Sequence, residues 1–386
     1  MTLRVGKLVY GMIRLLPCLL AVLLASSCSS DVNSDEQKGD KTLVTLTIAA
    51  SGNAATASRA ISGNSSTITR GVSDSGDKDY YISDLTVLIF DESGNVIGST
   101  TKQASDLTPS SDGKFTIQVL TRAAQNCTVY AIANALALNG DATPFAGVAT
   151  LSALTSMVKK YANADDINTE TCLLMMGKTA DNSFDTTNSG SAAAISLQRL
   201  ASKITFNIKA EANVINGISY PVVIDSYQLC NVPNATFYTH DDMANPTLPT
   251  DITYQNFSEQ KTPVNSWDSN PTVSYVQYVY ANPVTAEANA TYLLIKAHAQ
   301  ASSTNTVKIW ESVFKVYLKE VKQGGALMTQ YQILPNYHYT VNITIKGSKV
   351  TADNGVVCTA YPFFSTGSLQ GWTSDEKDID FKYEGN

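Results

Sequence analysis

The chain has 386 residues, 44% hydrophobic and 16% charged, which is enough for two or three ordinary domains and too apolar for a disordered polymer. Its formal net charge is −7, and the first 27 residues hold Arg4, Lys7 and Arg14 with no acid, so the remainder carries −10. That acidic balance argues against nucleic acid as a partner, because such binding depends on neutralising phosphates with Lys and Arg.

Residues 1–27 read as a signal peptide: a basic start, an apolar run at 15–24 too short to span a bilayer, then Leu24-Ala25-Ser26-Ser27-Cys28. Small residues ahead of a Cys predict that Cys28 becomes the lipidated first residue; the alternative is ordinary cleavage beside an incidental Cys. Residues 28–40 form a polar tether. Residues 41–50 (KTLVTLTIAA) alternate, with Val44, Leu46 and Ile48 on one side, which is the period of a half-buried strand. The following stretch to residue 79 is rich in Ser, Gly, Ala, Asn and Asp and contains Arg59 and Arg70. So long a structureless run is commonly functional or disordered.

Further along, residues 80–97, 114–120 and 127–134 read as strands. Residues 148–161 place Val148, Leu151, Leu154, Val158 and Tyr161 at helical spacing, with Lys159 and Lys160 near the C-terminus where cations suit the dipole. The polar run 181–191 marks a domain boundary. Residues 194–208 read as one long strand whose middle, LQRLASK, breaks the alternation. Strands follow at 222–232, 273–280, 292–299, 307–318 and 340–346, with loop at 240–271, and the tail holds Val356, Val357, Phe363 and Phe364. The expected fold is mainly β: two tandem antiparallel β-sandwiches of transthyretin-like or Greek-key type, at 41–193 and 194–386, with one helix in the first.

Little in the chain suggests catalysis. Its three histidines, His240, His298 and His338, lack metal spacing and read as surface or strand-end residues; no nucleophile motif is present. Asp74, Asp77 and Asp79 lack the spacing of a calcium loop and read as solvated. Cys127, Cys172, Cys230 and Cys358 stand singly, without a CxxC pair; most read as small core residues, and any pairing among them is left open. No enzyme activity, cofactor or metal is expected.

Several segments, in order, resemble the fimbrillins, the two-domain pilins of Bacteroidales: the lipoprotein leader with acids just behind Cys28; the strand and loop ending Ser58-Arg59-Ala60; ISDLTVLIFDESGNVI at 82–97; LLMMGKTA at 173–180; ISLQRLASKITFNI at 195–208; SYQLCNVPNATFY at 226–238; and LPNYHYTVNITIKG at 334–347. The resemblance implies a fimbrial subunit exported as a lipid-anchored precursor to the outer membrane and cut by an arginine-specific protease. The cut carries over to Arg59 and Ala60, with Arg70 and Gly71 as second choice. The strand bearing Val44, Leu46 and Ile48 would then leave, and a C-terminal strand of the next subunit (Val356, Val357, Phe363, Phe364) would fill the groove. The implied partners are other fimbrial subunits and a host or bacterial surface ligand, and the implied destination is the surface fimbrium. The chain departs from stem subunits at Tyr361-Pro362, where a Trp is usual. Two other readings follow: a tip or accessory adhesin, and a glycan-binding surface lipoprotein that does not polymerise.

Overall fold

Alternating segments become strands, and their register decides how they assemble. The computed structural model describes residues 40–50, 78–108, 110, 114–140, 143–185, 194–318, 331–348, 355–362, 375–377 and 381–384. In order these form β1 (Lys41–Ala50), β2 (Asp84–Phe90), β3 (Val96–Gln103), β4 (Lys114–Arg122), β5 (Ala124–Ala133), α1 (Ala135–Asn139), α2 (Leu151–Thr155), β6 (Val158–Lys160), β7 (Met175–Phe184) and β8 (Ala194–Arg199). The second half follows with β9 (Ala201–Ala210), β10 (Asn213–Ile215), β11 (Ile218–Tyr220), β12 (Val222–Cys230), β13 (Val232–Pro233), β14 (Ala235–Phe237), β15 (Tyr254–Gln255) and β16 (Val264–Asn265). It ends with β17 (Thr272–Tyr280), β18 (Tyr292–Gln300), β19 (Lys308–Tyr317), β20 (Tyr337–Ile345), β21 (Gly355–Pro362), β22 (Asp375–Lys377) and β23 (Phe381–Glu384). The chain is mainly β, as expected.

The first half departs from the expected sandwich. Seven strands close into a barrel in the order β1-β4-β3-β2-β5-β7-β8. The ring is uneven: β2, β3, β5 and β7 pair at length, but β3 meets β4 only at Gly98 and Thr121, and β7 meets β8 only at Met175–Met176 against Gln198–Arg199. A sandwich and a barrel share the same alternation, and two such thin seams distinguish them here. Val44, Val87, Ile117, Val129 and Ile195 fill the barrel interior. A second cluster covers the outer face of β2, β5 and β7, where Leu88, Phe90 and Tyr130 pack with α1, α2 and Tyr238. β2 is therefore buried on both faces, which accounts for its unbroken apolar run.

The expected helix at 148–161 shrinks to α2, and a second short helix, α1, stands before it. Residues 158–160 extend into β6 because they pair with β14 of the second half; a tertiary partner overrides helical spacing. Asp181 to Phe184, in the expected boundary run, extend β7.

The second half holds two five-stranded sheets, β16-β12-β18-β19-β23 and β17-β9-β20-β21-β22, whose inward residues share one core including Phe206, Leu229, Ile295, Phe314 and Val341. The expected strand at 194–208 is two strands joined at Leu200. Odd positions point inward before the joint (Ile195, Leu197, Arg199) and even positions after it (Ile204, Phe206, Ile208). That one-residue slip changes faces and carries the chain from barrel to sheet. Short strands β15 and β16 interrupt the expected loop at 240–271.

Candidate functional site

The site lies along β1. Its burial follows the alternation: Val44, Leu46 and Ile48 are 2%, 0% and 0% exposed, while Leu43 faces outward. The strand has two neighbours of opposite polarity. It runs antiparallel to β4 for nine residues, from Lys41 opposite Arg122 to Ala49 opposite Lys114. It runs parallel to β8 for four, from Thr47 beside Ala194 to Ala50 beside Leu197. At its start, the Thr42 hydroxyl donates to the Asp185 carbonyl at 2.9 Å and the Ala123 amide to the Asp40 carbonyl at 2.9 Å.

Among the described residues, β1 is thus the only strand between β4 and β8. Taking it away parts the ring there and bares apolar side chains on both banks: Phe115, Ile117 and Val119 from β4, Ile195 and Leu197 from β8. Burial of Val44, Leu46 and Ile48 stabilises the closed ring by roughly 1.5–3 kcal/mol per side chain before entropy losses. Opening also leaves two rows of backbone donors and acceptors without partners, a template for any strand of like alternation.

The other sequence-derived positions are distributed as follows. Cys28, Arg59, Ala60, Arg70, Gly71, Phe363 and Phe364 lie outside the described residues. Val356 and Val357 stand in β21, opposite Ile343 and Asn342 of β20, and β22 flanks the same strand on its other side. β21 is therefore paired within its own second half.

The remaining chemistry is structural. Cys127, Cys172 and Cys230 are free and buried, and burial pushes each thiol up to about 11. Two histidines correct the surface reading. His240 is buried beside the Thr236 hydroxyl at 3.1 Å, and burial pulls its imidazole down to about 4. His298 is buried with Nδ1 2.9 Å from Asp225 Oδ2. His338 bridges β20 and β9 through the Thr205 hydroxyl at 2.9 Å. Among the described residues no group of His, Cys, Asp or Glu is arranged to hold a metal. Asp79, expected in a solvated loop, is 5% exposed and ion-paired. The residues that bury it, Arg199 and Lys203, sit where the alternation of 194–208 breaks, and that break was the available signal.

A family model described as major fimbrial subunit protein (FimA) matches residues 44–221, beginning inside β1. No curated protein matches the sequence. Among solved structures, the chain is similar to a candidate cell adhesion protein from Parabacteroides distasonis ATCC 8503, with 17% identity, a TM-score of 0.58, and coverage of 89% of this chain and 96% of that one. It is also similar to a fimbrilin from Porphyromonas gingivalis W83, with 14% identity, a TM-score of 0.53, and coverage of 84% and 98%. At these identities the likeness speaks to the fold.

Proposed function

We propose that this chain, which matches the major fimbrial subunit protein model over residues 44–221, is a structural fimbrial subunit and not an enzyme, and that it assembles as follows. The precursor is lipidated on Cys28 and held at the outer membrane. Cleavage after Arg59, with Arg70 as second choice, frees β1. A strand from the next subunit then takes its place between β4 and β8.

The observation that carries this reading is the seat of β1. Among the described residues it alone joins β4 to β8; it buries three apolar side chains, and in sequence it leads directly into the stretch that contains Arg59. A strand so placed can be exchanged without unfolding β2, β3, β5 or β7, whose ladders do not include it. The test is the N-terminus of the subunit in purified surface filaments. The expected first residue is Ala60; filaments whose subunits begin at Cys28 or Lys41 overturn the proposal.

A second reading, a tip or accessory adhesin, is favoured by β21. The candidate donor pairs with β20 in the same chain, and Pro362, opposite Tyr337, cannot donate to a ladder. Deleting residues 348–386 separates the two. A shaft subunit stops polymerising, whereas a tip still caps filaments.

A further inference from the structure

The released strand must end somewhere, and the structure contains an anchor on the far side of the Arg59 stretch. Residues 78–80 touch both halves of the molecule. The Lys78 ammonium donates to the carbonyls of Ile167 and Asn168, each at 3.1 Å, and lies 4.2 Å from the centre of the Tyr278 ring. The Asp79 carboxylate accepts from Lys203 Nζ of β9 at 2.7 Å and from the Tyr278 hydroxyl of β17 at 2.5 Å. Its backbone carbonyl accepts from Nε and Nη2 of Arg199, the last residue of β8. The Arg199 guanidinium also stands 5.2 Å from the centre of the Tyr80 ring.

Arg199 is fully buried and Asp79 nearly so. Buried charges are strongly held where each finds hydrogen bonds, and costly to strip of one partner. Three consecutive residues therefore fasten to the last barrel strand, to two strands of the next sheet and to the turn at Ala164–Asn168. None of these contacts involves β1.

We infer that residues 78–80 are a fixed clip marking where the releasable part of the chain stops, so that cleavage frees β1 while the chain from Lys78 onward stays rooted at the junction of the two halves. This rests on the strand-exchange reading above. It makes Asp79, Arg199, Lys203 and Tyr278 positioning residues that hold the halves together after β1 has gone. The described chain from Lys78 into β2 then keeps its place at the junction.

Hydrogen exchange by mass spectrometry tests this on the full chain, uncut and after cleavage with an arginine-specific protease. Peptides spanning 78–84 and 199–203 are expected to keep their protection after the cut. Asp79→Asn is expected to speed exchange there on the order of tenfold in both forms, and the milder Tyr278→Phe by less. Loss of protection at 78–84 in cut wild-type protein, or unchanged rates in both variants, overturns the clip. Release is read separately: if the segment bearing Val44, Leu46 and Ile48 stays bound after cutting, strand exchange fails, while the comparison of uncut wild type with Asp79→Asn still decides the clip.

Discussion

Ile48 of β1 stands beside Ile195 of β8 in a parallel pair, and both side chains are buried in the barrel core. On its other side Ile48 is registered with Phe115 of β4. One residue thus spans the place where the ring closes. Ile48→Ala is expected to cost the uncut protein ~2–5 kcal/mol, the range for emptying a filled core position. Urea unfolding measures it.

The seam between β7 and β8 depends on a glycine. A Cβ built on Gly177 would lie 2.4 Å from the Ser196 carbonyl oxygen and 2.7 Å from Ile195 Cγ2. Backbone cannot yield as a flexible side chain can, so Gly177→Ala is expected to destabilise by about 1–3 kcal/mol. The urea midpoint should fall with little change in slope.

Acid should weaken the fold through His240. Its imidazole, lowered to about 4 by burial, titrates near 6.5 when unfolded. The unfolded chain therefore binds the proton first as pH falls. The neutral histidine's contribution is complete above about pH 6.5 and is lost progressively toward pH 4, on the order of 3 kcal/mol in all. Thermal unfolding between pH 7 and 4 measures this, and a His240→Gln variant should show a flatter profile. An equal pH dependence in the variant contradicts the assignment.

Cys127, Cys172 and Cys230 should resist alkylation. With thiols at about 11 and side chains buried, the thiolate is scarce at pH 8. Iodoacetamide is expected to modify them on the order of a hundredfold more slowly in the native protein than in denaturant. Peptide mass spectrometry reads each site.

Much of this architecture was legible because a half-buried strand shows its burial as alternation. β1, β4 and β20 all follow that rule. Barrel closure was hidden, since it turns on one pair at Gly98 and Thr121 and a two-residue contact at Met175 and Met176. The helix at 148–161 misled because Val158 has the right spacing but a strand partner in Phe237. Asp79 looked solvated within DSGDKD because its partners, Arg199, Lys203 and Tyr278, lie more than a hundred residues away in sequence. Local composition carries no trace of such a contact. For the candidate site, β1 and its buried stripe were legible in the sequence, but not that its two neighbours run in opposite directions.

That opposition gives the seat of β1 an arrow. A replacement entering with its N-terminal end beside Arg122 can rebuild both the long antiparallel ladder with β4 and the short parallel one with β8. The same strand reversed would have to exchange the two hydrogen-bonding patterns, which space their donors and acceptors differently. If strand exchange occurs at this seat as proposed, a donor strand therefore has one productive direction of entry.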